Sequence, residues 1–186
     1  MSTVCLETSR LYLRPLTKSD VNFRYVAWLN DKQVNKYLES RLSRYSMEDL
    51  IEYIGAVNKK KTAIMFGLFI KETGKHIGNI KIDDINLYHL NATIGILLGE
   101  KSEWGKGYAS EAITAVTKFC FSQLELKKIC AGCYESNLGS KKAFEKVGYK
   151  VEGFLRGQVD TDCGREGVWQ LGIIPSDVLL SDDEVV

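Results

Sequence analysis

The stretch Ser102-Glu-Trp-Gly-Lys-Gly-Tyr-Ala-Ser-Glu-Ala-Ile113 decides how the rest of the chain is read. Its first half is a turn with two glycines, Gly105 and Gly107, on either side of Lys106. Its second half opens an apolar series, Ala112, Ile113, Val116, Phe119 and Cys120, at the spacing of one helix face. Residues 91–99 upstream read as a strand. Strand, glycine turn and helix N-terminus in that order aim several backbone N–H groups at one point, where the helix adds partial positive charge. A pyrophosphate suits such a place, and Lys106 would bring a formal charge near it. A glycine turn without a ligand is the plain alternative, and the stretch alone leaves both open. Two other phosphate motifs fail: Walker A would need glycine where Glu100 stands and Ser or Thr where Gly107 stands. The dinucleotide fingerprint would need glycine at Ser110.

Working outward, residues 9–16 alternate with period two as a strand stopped by Pro15. Thr17 with Asp20 reads as a capping box for a helix through Val21, Tyr25 and Trp28, ended by Asn30-Asp31. A short helical turn follows around Val34 and Leu38, and Ser46 with Asp49 caps a helix that buries Leu50, Ile51 and Ile54. Strands are predicted over 62–71, 76–86 and 91–99, then the helix after Gly107, a strand over 128–134 and a helix over 138–147. Strands over 149–159 and 166–173 close the pattern. The order βαα-βββ-α-β-α-ββ predicts an α/β (α+β) fold with mixed strand directions, not a doubly wound alternation. One domain is expected over 3–175, followed by an acidic, solvated tail over 176–186.

Composition bounds the function. The 186 residues are 45% hydrophobic and 26% charged, as a packed domain is. The longest apolar run, 63–70, is far short of the ~18 residues of a membrane span, and no signal peptide opens the chain, so a cytoplasmic protein is expected. The 25 basic and 24 acidic residues nearly cancel, but four of the acids fall in the last eleven positions, which carry no base. The remaining modest basic excess lacks the stripe of a nucleic-acid binder and suits a small polyanion. Five cysteines are present, and Cys130 and Cys133 have metal-ligand spacing. They lie on a predicted strand, where i and i+3 face opposite ways, and no second pair or histidine is near, so no metal is expected.

Three separated motifs resemble one family. Ile94-Gly-Ile-Leu-Leu-Gly99 followed by Trp104-Gly-Lys-Gly-Tyr-Ala109 resembles the strand and acetyl-CoA pyrophosphate loop of the GNAT superfamily of N-acetyltransferases. Glu135-Ser-Asn-Leu-Gly-Ser-Lys-Lys-Ala-Phe144 through Gly148-Tyr149, then Glu152-Gly-Phe-Leu-Arg156, is similar to its second block. Glu7-Thr-Ser-Arg-Leu-Tyr-Leu-Arg-Pro15 is similar to the opening of the RimJ/RimL-type branch, which acetylates ribosomal-protein N-termini. The resemblance spans roughly 6–173 and implies a mixed, largely antiparallel sheet, splayed at its middle, with helices on both faces.

The resemblance also implies roles. Acetyl-CoA would be the co-substrate: its pantetheine arm would pair with Ile96, Leu97 and Leu98, where a backbone N–H stabilises the oxyanion. The backbone of Trp104, Gly105, Lys106, Gly107, Tyr108 and Ala109 would hold the pyrophosphate. Asn137 would bond the cofactor arm, and as an Asx helix cap it would keep its amide nitrogen free for that. Trp28, Asn30, Arg41 and Tyr45 fall where this family lines the acceptor side, although core packing explains Trp28 equally well.

Two departures bear on the chemistry. Many members place a tyrosine acid where this chain has Phe144; in the branch it resembles, the serine at the position of Ser140 lies near the sulfur and can donate to a thiolate. Many carry a glutamate just before Ile94-Gly95, and here Thr93 stands instead. A base is useful because an amine of pKa near 10 is about one part in a thousand neutral at pH 7, a handicap of roughly 4 kcal/mol. Asp84, continuing the face of Ile80 and Ile82, is the candidate base, with His89 behind it and a solvated turn aspartate as the plain reading. The expected reaction is acetyl transfer to a primary amine of an amino sugar or small metabolite. Alternatives are a protein N-terminus as acceptor, or a module that senses acetyl-CoA without turning it over. An exposed edge strand near the C-terminus would make a homodimer reasonable.

Overall fold

Alternation along the central strands gives the sheet two buried faces, and each face collects its own helices. The computed structural model describes residues 4–178, so residue 3 and positions 179–186 of the acidic tail lie outside the described residues. The strands are β1 (Leu6–Glu7), β2 (Leu11–Pro15), β3 (Ile64–Ile70), β4 (His76–Asn86), β5 (Asn91–Leu98), β6 (Lys128–Tyr134), β7 (Lys150–Thr161) and β8 (Gly164–Ile173). The helices are α1 (Phe23–Asn30), α2 (Lys32–Asn35), α3 (Met47–Val57), α4 (Tyr108–Ser122) and α5 (Leu138–Glu145). The strands form one sheet in the order β1-β2-β3-β4-β5-β6-β8-β7. Ile80, Ile82 and Ile94 pack on one face with Ala112, Ile113 and Val116 of α4 and Phe144 of α5. On the other face Leu16, Met65 and Phe69 pack with Tyr25, Trp28, Leu50 and Ile54 of α1 and α3. Burying a side chain of this size stabilises by about 1.5–3 kcal/mol, so these two layers hold the sheet between them.

One joint positions everything else. Every strand pair is antiparallel except β5–β6, which is parallel and holds only at Asn91–Lys128, Ala92–Ile129 and Thr93–Cys130. Beyond Thr93 the two strands part: β5 stays on β4 through Leu98, while β6 stays on β8 through Tyr134. The sheet is therefore mixed, largely antiparallel and splayed at its middle, with helices on both faces.

The predicted boundaries hold for β4 and β6, and α3 starts at the predicted Ser46–Asp49 capping box. The first helix differs. The Thr17–Asp20 box caps only one 3-10 turn, because Val21 returns to extended backbone and Asn22 caps α1 separately through Tyr25 N. Arg14 forks onto Asp20, Nη1 donating to Oδ2 at 2.8 Å and Nη2 to Oδ1 at 2.5 Å, and fixes the turn to the end of β2. Past residue 175 the chain continues into a 3-10 turn in which Asp177 pairs with Lys150.

Candidate active site

The parted strands leave backbone without a partner. Gly99 N–H donates to the Ile77 carbonyl on β4, so by alternation the N–H groups of Ile96 and Leu98 point the other way, into the gap. There β6 is too far to receive them. Half-buried N–H groups in want of acceptors are a template for an added extended chain. The Leu98 carbonyl, on the same open side, takes the Trp104 indole N–H at 2.9 Å, which anchors the start of the glycine turn to the end of β5.

In that turn Gly105 has φ +75° and Gly107, the N-cap of α4, has φ +84°. Both lie in left-handed space that only glycine enters cheaply. A Cβ on Gly105 would meet nothing within 4 Å, so the space over the turn is open to a ligand. The turn is braced from outside: Arg10 donates to the Lys106 carbonyl at 2.9 Å and to Glu111 at 2.7 Å. Glu111 also accepts from the Arg10 backbone and from Thr8 and Ser9. Burial pushes the Glu111 carboxyl up, but these hydrogen bonds outweigh it and hold it below the usual carboxylate range. Arg10 lies in the quoted N-terminal motif, yet nothing in the spacing shows that it reaches across ninety-odd residues to the loop.

From the far wall, Asn137 caps α5 by accepting from Ser140 N at 3.2 Å. Its amide nitrogen has no hydrogen bond among the described residues, and neither does the Ser140 hydroxyl. These pieces line one cleft of about 1220 Å³, together with Ile96, Leu97, Leu98, Trp104, Gly105, Gly107, Ala109 and Tyr45. An adjoining recess of about 320 Å³ at the N-terminus of α4 carries Arg10, Lys106 and Lys146 against one acid, Glu111, and is net basic, as a polyanion needs. The parts fit acetyl-CoA: open strand N–H groups for the arm, a glycine turn for the pyrophosphate and cations beside it.

A model of the acetyltransferase (GNAT) domain matches residues 10–150. The chain belongs to the GNAT acetyltransferase family. It is 32% identical over 152 residues to the uncharacterized N-acetyltransferase YoaA of Bacillus subtilis, covering 81% of this chain and 85% of that one. It is 32% identical over 153 residues to the uncharacterized N-acetyltransferase p20 of Bacillus licheniformis, with the same coverages of 81% and 85%. In fold it is similar to the spermidine N-acetyltransferase of Vibrio cholerae solved with CoA and spermine: TM-score 0.83, 23% identity, 91% of this chain and 98% of that one. A GNAT-family acetyltransferase of Bacillus anthracis aligns with TM-score 0.79 and 23% identity over 92% and 98% of the two chains. This is an acetyl-CoA-dependent N-acetyltransferase.

Several expected site residues stand elsewhere in this acetyltransferase. Asp84 is exposed, in a β-bulge at φ +51°, and does not line the cleft. The bulge explains this: Ile80 and Ile82 face α4 while Asn79 and Lys81 line the cleft, but the alternation breaks after Asp83 and it is Ile85 that returns to the α4 core. His89 lies at the same remote end, its backbone N–H held by Asn86. Lys106 turns its ammonium onto Glu103 at 2.8 Å, outside the main cleft. Tyr108 is buried beneath Arg10, so at that position only backbone is on offer.

Trp28 packs edge-on against His76, over the place where a Cβ of Gly99 would stand. Asn30 spends its amide on the Tyr45 backbone at 2.8 and 2.9 Å, and so holds Tyr45 on the cleft wall. Arg41 sits at the rim, donating to the Tyr134 hydroxyl at 2.7 Å, while that hydroxyl donates to Glu39. Phe144 is buried against Tyr149, ring centroids 5.0 Å apart. Cys133 belongs to the core on the α4 face and Cys130 does not, and all five cysteines are free. Among the described residues no three His, Cys, Asp or Glu side chains converge, and no helix is long and apolar enough to cross a membrane.

Proposed function

We propose that the acetyltransferase passes its acetyl group to the primary amine of a small molecule bound between β5 and the helices α1 and α3. The observation that carries this is the second half of the cleft. Past the open edge of β5 it continues into a recess walled by Tyr25, Leu29, Leu50, Tyr53 and Met65, side chains that close around a compact body. An amine there reaches the thioester carbonyl from the face opposite α4. It attacks as the neutral amine; the C–N bond forms, the C–S bond breaks, and the amine gives up one proton while the departing thiolate gains one.

Ile96 or Leu98 N–H stabilises the oxyanion, and the unengaged Ser140 hydroxyl donates to the leaving sulfur. A thiol of pKa near 8.5 needs no stronger acid than that. The amine proton leaves through water, since the one carboxylate on the cleft wall among the described residues, Glu39, is held by Tyr134 at the rim. The cytoplasm is the compartment we assign. A second copy would pair along β7, the edge of the sheet, which light scattering of the purified protein tests.

Purified protein with acetyl-CoA, a thiol reagent and a panel of amines tests the reading. The panel spans amino sugars, amino alcohols, amino-acid amides, a polyamine and short peptides with free N-termini. Thiol release with a small amine is expected. Release only with peptides would move the acceptor to protein N-termini. Tight acetyl-CoA binding with no release from any amine would make the chain a sensor and overturn the proposal.

A further inference from the structure

Asn79 stands on β4 opposite Leu97 and is only 3% exposed, yet it lines the cleft. Its side-chain oxygen lies 2.9 Å from His76 Nε2, and the same nitrogen lies 2.9 Å from the Gly78 carbonyl. A carbonyl can only accept, so Nε2 carries the ring proton, and the Asn79 atom beside it has to be the oxygen. His76 cannot swing away. Tyr25, Trp28 and Phe69 enclose its ring at centroid distances of 5.7, 5.1 and 4.8 Å. The Asn79 amide nitrogen is thereby turned from His76 toward the Tyr25 hydroxyl, which can take one of its two N–H groups; the buried nitrogen has no other acceptor beside it, and its second N–H is without a partner.

Native interiors rarely leave an amide donor unpaired, and one fixed on a cleft wall is explained by a ligand atom that accepts from it. The surroundings say what kind of atom. Tyr25, Leu29, Leu50, Met65 and Leu97 make the wall near it apolar or aromatic, and the Tyr25 hydroxyl lies beside the amide. Glu39 is the one carboxylate among the described residues of the cleft wall, and it is engaged by Tyr134. Lys81 also lines this part, its ammonium paired with Asp83. A second ammonium on the acceptor would find no free counter-charge here, whereas a neutral oxygen would complete the amide.

Resting on acetyl transfer at β5, we propose that Asn79 is a specificity residue that reads an uncharged oxygen, hydroxyl or carbonyl, on an acceptor amine with an apolar body. Polyamines are rejected by the same wall. A donor committed in advance to one acceptor discriminates strongly, because an acceptor lacking the oxygen leaves the amide unpaired in the complex as well.

The test is a matched series with acetyl-CoA and a thiol reagent: a phenylalkylamine, the amino alcohol and the amino-acid amide of the same carbon frame, and spermidine. The parent should favour the alcohol or the amide over the bare amine and spermidine by about tenfold or more in kcat/KM. Which of the two wins tells hydroxyl from carbonyl. Asn79→Leu should erase that preference through KM while acetyl-CoA affinity, read by calorimetry, stays within about twofold. Asn79→Asp keeps the size and the bond from His76 but has no donor; it should erase the preference too, should the leucine variant not fold.

A parent that uses the bare amine or spermidine as well as its oxygen-bearing match overturns the inference and leaves acetyl transfer standing. So does an aspartate variant that keeps the preference. A parent that binds acetyl-CoA and acetylates none of the series overturns both.

Discussion

The two halves of the cleft are built of different material. The cofactor half is backbone: the N–H groups of Ile96 and Leu98, the left-handed turn at Gly105 and Gly107, and the start of α4. The acceptor half is side chains, brought by α1, α3, β3 and β4 from four separate stretches of the chain. Backbone donors serve any acyl-CoA that fits an extended strand, and they need particular residues only where a side chain would intrude. Side-chain walls tie each feature to one residue and can be altered singly. Variation in the first half should therefore cost binding of the common co-substrate, and variation in the second should change which amine is used.

The largest expected effect lies in the backbone half. Gly105→Val or Gly107→Val puts a β-branched residue at φ +75° or +84° and a methyl where the phosphates approach. Acetyl-CoA affinity should fall by about a hundredfold or more, a loss of ~3 kcal/mol, in a protein that still melts cooperatively. Unchanged affinity in a folded variant would remove the turn from the site.

Ser140 lies between the halves, on the first turn of α5. If its hydroxyl meets the departing sulfur, Ser140→Ala should slow single turnover at saturating acetyl-CoA by about tenfold to a hundredfold, for a hydrogen bond to developing charge of roughly 1.5–3 kcal/mol. Affinity for acetyl-CoA should hardly move. Weaker binding with the rate preserved would place the serine on the cofactor arm instead, and a rate equal to the parent's would end its catalytic role.

Behind the acceptor wall His76 carries a pH dependence near neutrality, whereas Glu111 at the glycine turn matters only in acid. Burial lowers the His76 pKa below its ordinary 6.5, against the pull of its bonds to Asn79 and Gly78. Below about pH 6.5 the unfolded chain takes up a proton that the folded chain refuses, so stability falls as the pH drops from 6.5 toward the folded value. Asp20 adds nothing in that window. Burial raises its carboxyl, but the bonds from Arg14 and Thr17 outweigh it and bring it down to about 2, so its contribution is lost only below the usual carboxylate range. Melting curves from pH 7.5 to 5.5 should show Tm declining, and His76→Gln should flatten the slope; an equal slope in that variant would assign it to other groups.

The smallest effect is expected at Asp84. Exposed in a bulge and outside the cleft lining, Asp84→Ala should leave kcat and KM within about twofold of the parent. A large loss in kcat would restore it as the base.

The same contrast runs through what could be read in advance. Local rules act within a few residues, and the elements they govern were legible: the period-two runs of β4 and β6, the Ser46–Asp49 box, and the glycine turn before α4. Where two local signals competed they were not. Thr17–Asp20 looks like the cap of α1, but Arg14 holds that turn to β2 and Asn22 restarts the helix. Asp84 was misplaced for a different reason: continuing a strand's parity is sound only until a bulge, and the inward face chosen was the face of α4.

By itself the sequence determined most of the order of elements, the family and the glycine turn before α4, because glycines, caps and strand alternation are properties of consecutive residues. Only the tertiary structure decided the acceptor half. Trp28 and Asn30 pack behind the cleft wall and Tyr45 lines it, while Arg10 reaches the glycine turn across a long separation of chain. Packing of side chains from distant segments chose their partners, and no spacing within any one segment records that choice.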